Sequence, residues 1–184
     1  MRIFLQTERL TLRPIAESDE DDLFRLHNDP EVMRHLNGGR PTPRSVLAGK
    51  TMPRFLSGGF YAALDRHSGG FLGWFHLRSA DGGPDDEPEL GYRLHQAAWG
   101  KGYATEGSRG LIDKAFAELG ARRVFAQTMA VNLGSRRVME KCGLRYVRTF
   151  HLDWPDPIEG SEQGEVEYEL LRPEWEAAHG PDRH

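Results

Sequence analysis

At 184 residues, with 38% hydrophobic residues and nine Phe, five Tyr and four Trp, the chain suits one domain with its own core and is too apolar for wholesale disorder. Its single cysteine, Cys142, rules out an internal disulfide framework and a cysteine-rich zinc site, and suits a reducing cytoplasm. The net charge of −4 argues against a general nucleic-acid binder, no apolar run approaches the roughly 18 to 20 residues needed to span a bilayer, and Met1 to Glu8 lacks the apolar core of a signal peptide.

In chain order, Glu8 to Ile15 alternates as an opening strand, and Ser18 reads as the cap of a helix with acids in its first turn, buried through Leu23, Phe24 and Leu26 and ending near His27. Asn28-Asp29-Pro30 breaks it. A short helix with Val32, Met33 and Leu36 follows, stopped by Asn37-Gly38-Gly39, and Thr42-Pro43 starts another reaching Phe55 or Leu56. Two strands, Phe60 to Asp65 and Phe71 to Arg78, form a hairpin through His67 to Gly70, and a third runs from Glu89 to His95.

The clearest helical period in the chain comes next: Ala104, Ser108, Leu111, Ile112, Ala115, Phe116 and Leu119 fall on one stripe, with Gly120 as the stop. Arg123 to Met129 is a strand, Ser135 to Cys142 a short helix ended by Gly143, and Leu144 to Leu152 and Glu165 to Leu171 are strands. The expected fold is a mixed α/β sheet in one domain over residues 1 to 184, with its core from about 7 to 175 and a tail from 176 to 184.

Charge is segregated along the chain. Asp81 to Glu89 holds five acids and Asp153 to Glu169 seven, with no Lys or Arg in either. They read either as solvated loops or as a field acting on a cationic partner. The segment Trp99-Gly100-Lys101-Gly102-Tyr103-Ala104-Thr105-Glu106 leaves a strand, turns on two glycines and enters the strongest helix, which makes it either an ordinary turn or an anion site at a helix start. Two other phosphate motifs fail: a dinucleotide fingerprint needs glycine where Thr105 stands, and Gly49-Lys50-Thr51 lacks the first P-loop glycine, replaced by Arg44.

Glu89-Leu90-Gly91-Tyr92-Arg93-Leu94, the Trp99 to Glu106 turn, Asn132 with Ser135, and Glu140-Lys141-Cys142-Gly143-Leu144 together resemble the GNAT superfamily of N-acetyltransferases, and within it the RimJ/RimL-like branch that acetylates ribosomal-protein N-termini. The resemblance implies acetyl-CoA as co-substrate, held where the Glu89 and Arg123 strands splay apart. Its diphosphate would meet backbone N–H groups of Gly100, Lys101, Gly102, Tyr103, Ala104 and Thr105, and its pantetheine arm would follow the backbone at Arg93 and Leu94. Trp99 stands where the family signature has Gln or Arg.

Asn132 and Ser135 match positions facing the cofactor, although helix capping explains them equally well. Arg136, Arg137 and Lys141 are expected near the CoA phosphates or as solvated helix charges. Many family members carry a tyrosine as general acid where this chain has Met139; the resemblance to the RimL-like branch implies Ser135 as the acid instead, directly or through water. It implies Glu89, on the strand beside the thioester, as a base acting through water, the other reading being one more acid of an acidic loop. The acceptor implied is a primary amine of cationic character, such as a protein N-terminus, a polyamine or an aminoglycoside. A non-catalytic CoA-binding regulator of the same fold is the alternative. The eight histidines show no ligand spacing and Cys142 reads as a small buried residue, so neither a metal nor a cysteine nucleophile is expected. A monomer or homodimer is expected.

Overall fold

A computed structural model describes residues 1–180 of the chain. Eight strands form one sheet: β1 (Leu5–Gln6), β2 (Leu10–Pro14), β3 (Phe60–Asp65), β4 (Phe71–Ser79), β5 (Pro88–Leu94), β6 (Arg123–Met129), β7 (Arg145–Phe150) and β8 (Glu165–Leu171), in the order β1-β2-β3-β4-β5-β6-β8-β7. All neighbours are antiparallel except β5 and β6. The mixed α/β fold expected from the sequence is the one found.

One sheet face carries α1 (Glu20–His27), α2 (Pro30–Asn37) and a helical run made of α3 (Arg44–Val46), a π turn (Leu47–Thr51) and α4 (Met52–Leu56). Leu23, Leu26, Leu47, Phe55, Phe60 and Trp74 form the core beneath them. The other face carries α5 (Tyr103–Ala117) and α6 (Leu133–Lys141), over a larger core built on Leu90, Leu94, Leu111, Phe116, Val124 and Tyr168. Each fully buried leucine or phenylalanine contributes about 1.5 to 3 kcal/mol relative to exposure.

Several local expectations are corrected. Ser18 is not the first cap: a 3₁₀ turn over Glu17–Asp19 precedes α1, and the Asp19 carboxylate accepts from the Ala16 N–H at 2.8 Å while forming a two-pronged pair with Arg13. Leu119 is 52% exposed and Leu36 44%: Leu119 lies beyond the end of its helix at Ala117, and Leu36 in the last turn of a helix that ends at Asn37. The expected tail from 176 to 184 is helical where the structure describes it: residues 176 to 179 belong to α7 (Arg172–His179), which carries Pro173 in its first turn, is closed by the Leu171 N–H donating to Glu174, and stacks Trp175 on Phe116 with ring centres 5.3 Å apart, while residues 181–184 lie outside the described residues.

The feature that makes a site is the β5–β6 seam. β4 and β5 stay in register over seven residue pairs, as do β6 and β8, but β5 and β6 meet only at Glu89 and Phe125. Beyond that pair the sheet parts, as the resemblance implied.

Candidate active site

The turn into α5 is built on glycine. Gly100 and Gly102 have φ of 71° and 83°, where a Cβ is penalised. The first intrahelical bond there runs from the Glu106 N–H to the Gly102 carbonyl at 3.0 Å, so the preceding N–H groups at the helix start have no partner within it and point outward with the positive end of the helix dipole. The turn is pinned from β2: Arg9 donates to the Lys101 carbonyl at 2.8 Å and to Glu106 at 2.7 Å, and its own backbone N–H reaches Glu106 at 2.9 Å. Burial works against charge on Glu106, but the bonds from Thr7 and Arg9 outweigh it and hold the carboxyl below its usual range. Nothing in the sequence pattern singled out Arg9, because its partner lies 97 residues away.

Where β5 and β6 diverge, a cleft of 720 Å³ passes between the two faces of the sheet. The His95 N–H donates to the Leu72 carbonyl at 2.8 Å. Antiparallel alternation therefore aims the backbone groups of Glu89, Gly91 and Arg93 at β4 and those of Tyr92 and Leu94 into the gap. The Leu94 carbonyl accepts from the Trp99 indole N–H at 3.0 Å, which leaves the Leu94 N–H and both groups of Tyr92 facing the cleft.

Side chains alternate in the opposite sense. Glu89, Gly91 and Arg93 face α1 and α2, alongside Trp74 and His76 of β4. His76 Nε2 lies 3.2 Å from Glu89 Oε1 and its ring stacks on Trp74. Gly91 makes this possible, since a Cβ there would come within 2.5 Å of the His76 ring. His27 of α1 is buried, and its Nε2 accepts from Trp74 Nε1 at 3.1 Å and from Arg93 Nη1 at 3.2 Å. Burial, helped by the nearby guanidinium, pushes His27 down to about 3, so the ring is neutral with its proton on Nδ1. Burial lowers Arg93 to about 10, which keeps it charged at neutral pH.

The opposite wall comes from α6. The Asn132 side chain accepts from the Ser135 N–H at 3.2 Å, so Asn132 caps the helix while also lining the cleft. Ser135 lies beside the Tyr92 phenol, whose pKa burial raises and Ser135 only partly offsets, so the phenol keeps its proton. Buried Met139 also faces the cleft. Burial pushes the Cys142 thiol up to about 11, which makes it a poor nucleophile.

Of the cofactor contacts expected from the sequence, all line the cleft except Lys101, whose side chain lies with Asp65 and His95 in a neighbouring depression. Arg137 and Lys141 face the cleft. Arg136 instead points into the fold, bonding the Tyr168 hydroxyl at 3.1 Å and the Ala130 carbonyl at 2.9 Å. Sequence reasoning missed His27, Trp74 and His76; the alternation of β4 puts Trp74 and His76 on one face, but only the β4–β5 register shows that this face belongs to Glu89.

The acidic loops are largely neutralised by the fold. Asp81 lies 3.9 Å from both Arg54 and Arg78, Asp86 and Glu87 pair with Arg122, Asp156 with Arg40, Glu159 with Arg34, Glu167 with Arg123 and Arg148, and Glu169 with Arg123 and Arg145. Of the twelve acids only Glu89 lines the cleft. Seven of the twelve acids are thus matched by arginines, and the rest of the charge, apart from Glu89, lies away from the cleft lining. Among the described residues no cluster of three or more His, Cys, Asp or Glu is placed to hold a metal, and no helix is long and apolar enough to cross a membrane.

A sheet parted between two strands, beside a glycine-turned helix start, is the architecture of an acyl-CoA-dependent acetyltransferase. The family model of the GNAT acetyltransferase domain matches residues 9–145. The chain is 36% identical over 181 residues to the FsC-acetyl coenzyme A-N(2)-transacetylase of Aspergillus fumigatus, covering 93% of this chain and 77% of that one. Among solved structures it resembles a GNAT-family acetyltransferase from Bacillus anthracis (TM-score 0.80, 21% identity, 93% of this chain and 99% of that one). It also resembles the Vibrio cholerae spermidine N-acetyltransferase in complex with CoA and spermine (TM-score 0.74, 16% identity, 92% and 99%). The chain belongs to the GNAT acetyltransferase family and is an acetyl-CoA-dependent N-acetyltransferase.

Proposed function

We propose that this enzyme acetylates a primary amine presented from the α1–α2 side of the sheet, with Glu89 as general base and Ser135 as general acid. The observation that carries this reading is the cleft itself: the two groups line one passage from opposite faces of the parted sheet, Glu89 on the side open to an acceptor and Ser135 on the side of the α5 turn.

Acetyl-CoA supplies an acetyl thioester when bound. The helix-start N–H groups from Gly100 to Thr105 would hold its diphosphate, with Arg137 and Lys141 nearby, and the free backbone groups of Tyr92 and Leu94 would pair with the pantetheine amides. An amine with pKa of roughly 8 to 10 arrives as ammonium, so Glu89, directly or through water, takes one proton before the nitrogen attacks. The Leu94 N–H is aimed to stabilise negative charge developing on the acetyl oxygen. As the amide forms, the nitrogen loses its second proton, and Ser135 relays a proton, through water, to the departing thiolate so that its own hydroxyl is restored, with the protonated Tyr92 phenol beside it as a reserve.

The acceptor is cationic before reaction, which admits a protein N-terminus, a polyamine or an aminoglycoside. RimJ/RimL-like motifs favour the first, and the spermine complex of the Vibrio relative shows the second in a similar fold. Catalysis, a cytoplasmic setting and a single domain fit together in this reading. Met139, where the family often has tyrosine, is the feature that favours a non-catalytic CoA-binding regulator instead.

Glu89→Gln decides between them. The expected result is a kcat lower by about 10² to 10⁴ with unchanged affinity for acetyl-CoA by calorimetry. A variant within about twofold of wild type between pH 6 and 9 removes Glu89 from the mechanism, and absence of amine-dependent thiol release in the wild type favours the regulator.

A further inference from the structure

Arg93 is a guanidinium without an acid. Its Nη1 is engaged with His27 Nε2 and its plane lies over Trp74, 4.9 Å from the ring centre, but Nε is buried with no acceptor, and no hydrogen bond leaves Nη2 among the described residues. Among the described residues no carboxylate lies within ion-pair distance, and His27 and Trp74 are neutral. A half-buried cation left this way is costly to keep without an acid. Arg93 lines the cleft on the acceptor side, on the same sheet face as Glu89, with Nη2 as its open donor.

Nη2 is the donor left open, since Nε is enclosed. A planar guanidinium donor with a full positive charge suits the oxygen of a carboxylate or a peptide carbonyl, whereas an ammonium is repelled by it. An oxygen-free polyamine gains from Glu89 and loses to Arg93. An amine with a carboxyl-derived oxygen nearby satisfies both.

Resting on the N-acetyltransferase reading above, we propose that Arg93 is an acceptor-recognition residue, and that it selects amines carrying a carbonyl or carboxylate next to the reacting nitrogen, as a peptide N-terminus does, over polyamines. His27 is the positioning residue: its neutral ring accepts from Arg93 Nη1 and from Trp74, which fixes the plane of the guanidinium and leaves Nη2 free for the cleft.

The test compares two probes on the enzyme saturated with CoA: alanyl-glycinamide, whose amine sits beside a carbonyl, and spermidine, which has no oxygen. Calorimetric Kd values are measured for wild type, Arg93→Gln and Arg93→Lys, and kcat/KM for the same set with acetyl-CoA. Wild type is expected to favour alanyl-glycinamide, and Arg93→Gln to lose about tenfold to a hundredfold of that preference, the range for hydrogen bonds to a charged group. Arg93→Lys keeps the charge but not the planar donor that His27 holds in place, and is expected to fall between them. A merely structural role would weaken both probes together and leave their ratio unchanged, which overturns the proposal; so does a wild type that binds spermidine as well as the peptide. Because the ratio is read from binding, it stands or falls even if turnover fails, while intact binding without turnover sinks only the catalytic reading. If Arg93→Gln does not fold, the wild-type and Arg93→Lys ratios decide the matter.

Discussion

The buried neutral histidine makes a quantitative claim about stability. His27 has an ordinary value of 6.5 in an unfolded chain and about 3 in the fold, because burial and the Arg93 charge both disfavour the imidazolium. Below pH 6.5 the unfolded chain therefore binds a proton that the folded chain refuses, so stability falls as pH drops from about 6.5 and levels off only near 3. The slope approaches about 1.4 kcal/mol per pH unit below 6.5, so going from 6.5 to 4.5 removes about 2 kcal/mol. That is a large part of the 5 to 15 kcal/mol typical of a domain.

His35 and His95, also lowered by burial, act in the same sense, so the wild-type curve alone does not isolate His27. His27→Gln does. Its amide oxygen can still accept from Trp74 and Arg93, and the variant is expected to be about 1 kcal/mol less stable than wild type at pH 7.5. Urea denaturation at pH 7.5, 6.5, 5.5 and 4.5 should show the two curves converging and crossing, with the variant the more stable by roughly 2 kcal/mol at pH 4.5. Curves that stay parallel down to pH 4.5 would mean that the ring accepts its proton in the folded state, and would refute the reasoning.

Two further outcomes follow from glycines with defined surroundings. Gly91→Ala forces a Cβ to within 2.5 Å of the His76 ring. It should cost about 1 to 3 kcal/mol by urea denaturation, and lower kcat more than it alters affinity for acetyl-CoA, because the displaced ring leaves Glu89. Gly102→Ala meets only Arg9 Nη2, at 3.3 Å, but must hold a φ of 83°. A cost of about 1 kcal/mol in stability or a several-fold weaker CoA affinity by calorimetry is expected, and neither change would show that the turn relaxes freely.

Local pattern alone reached most of the elements. β3, β6 and β8 begin and end where the alternation of their residues places them, and α5 follows the stripe from Ala104 to Phe116, because periodicity records which side of an element faces a core. The Gly100 and Gly102 turn was legible too, since only a backbone with positive φ needs glycine twice within three residues. Two-residue β1 is too short to show a period, and α7 carries its signal in Pro173 and Glu174 rather than in a stripe.

Charge pairing was decided by the tertiary structure. Arg40 and Asp156 are 116 residues apart, and Arg123 reaches Glu167 only because β6 lies beside β8. Acids that look unopposed along the chain are neutralised by arginines arriving from other strands and helices. The reverse holds for Arg93: it looks like one more surface charge in Gly91-Tyr92-Arg93-Leu94, but the register with Trp74 and the packing of α1 leave it without an acid in the cleft. The sequence determined which segments are strands and helices and where a glycine turn enters α5, because those depend on neighbours a few residues away. Which charges meet, and which one is left without a partner in the cleft, depends on strand register and helix docking between distant segments, and only the folded chain decides it.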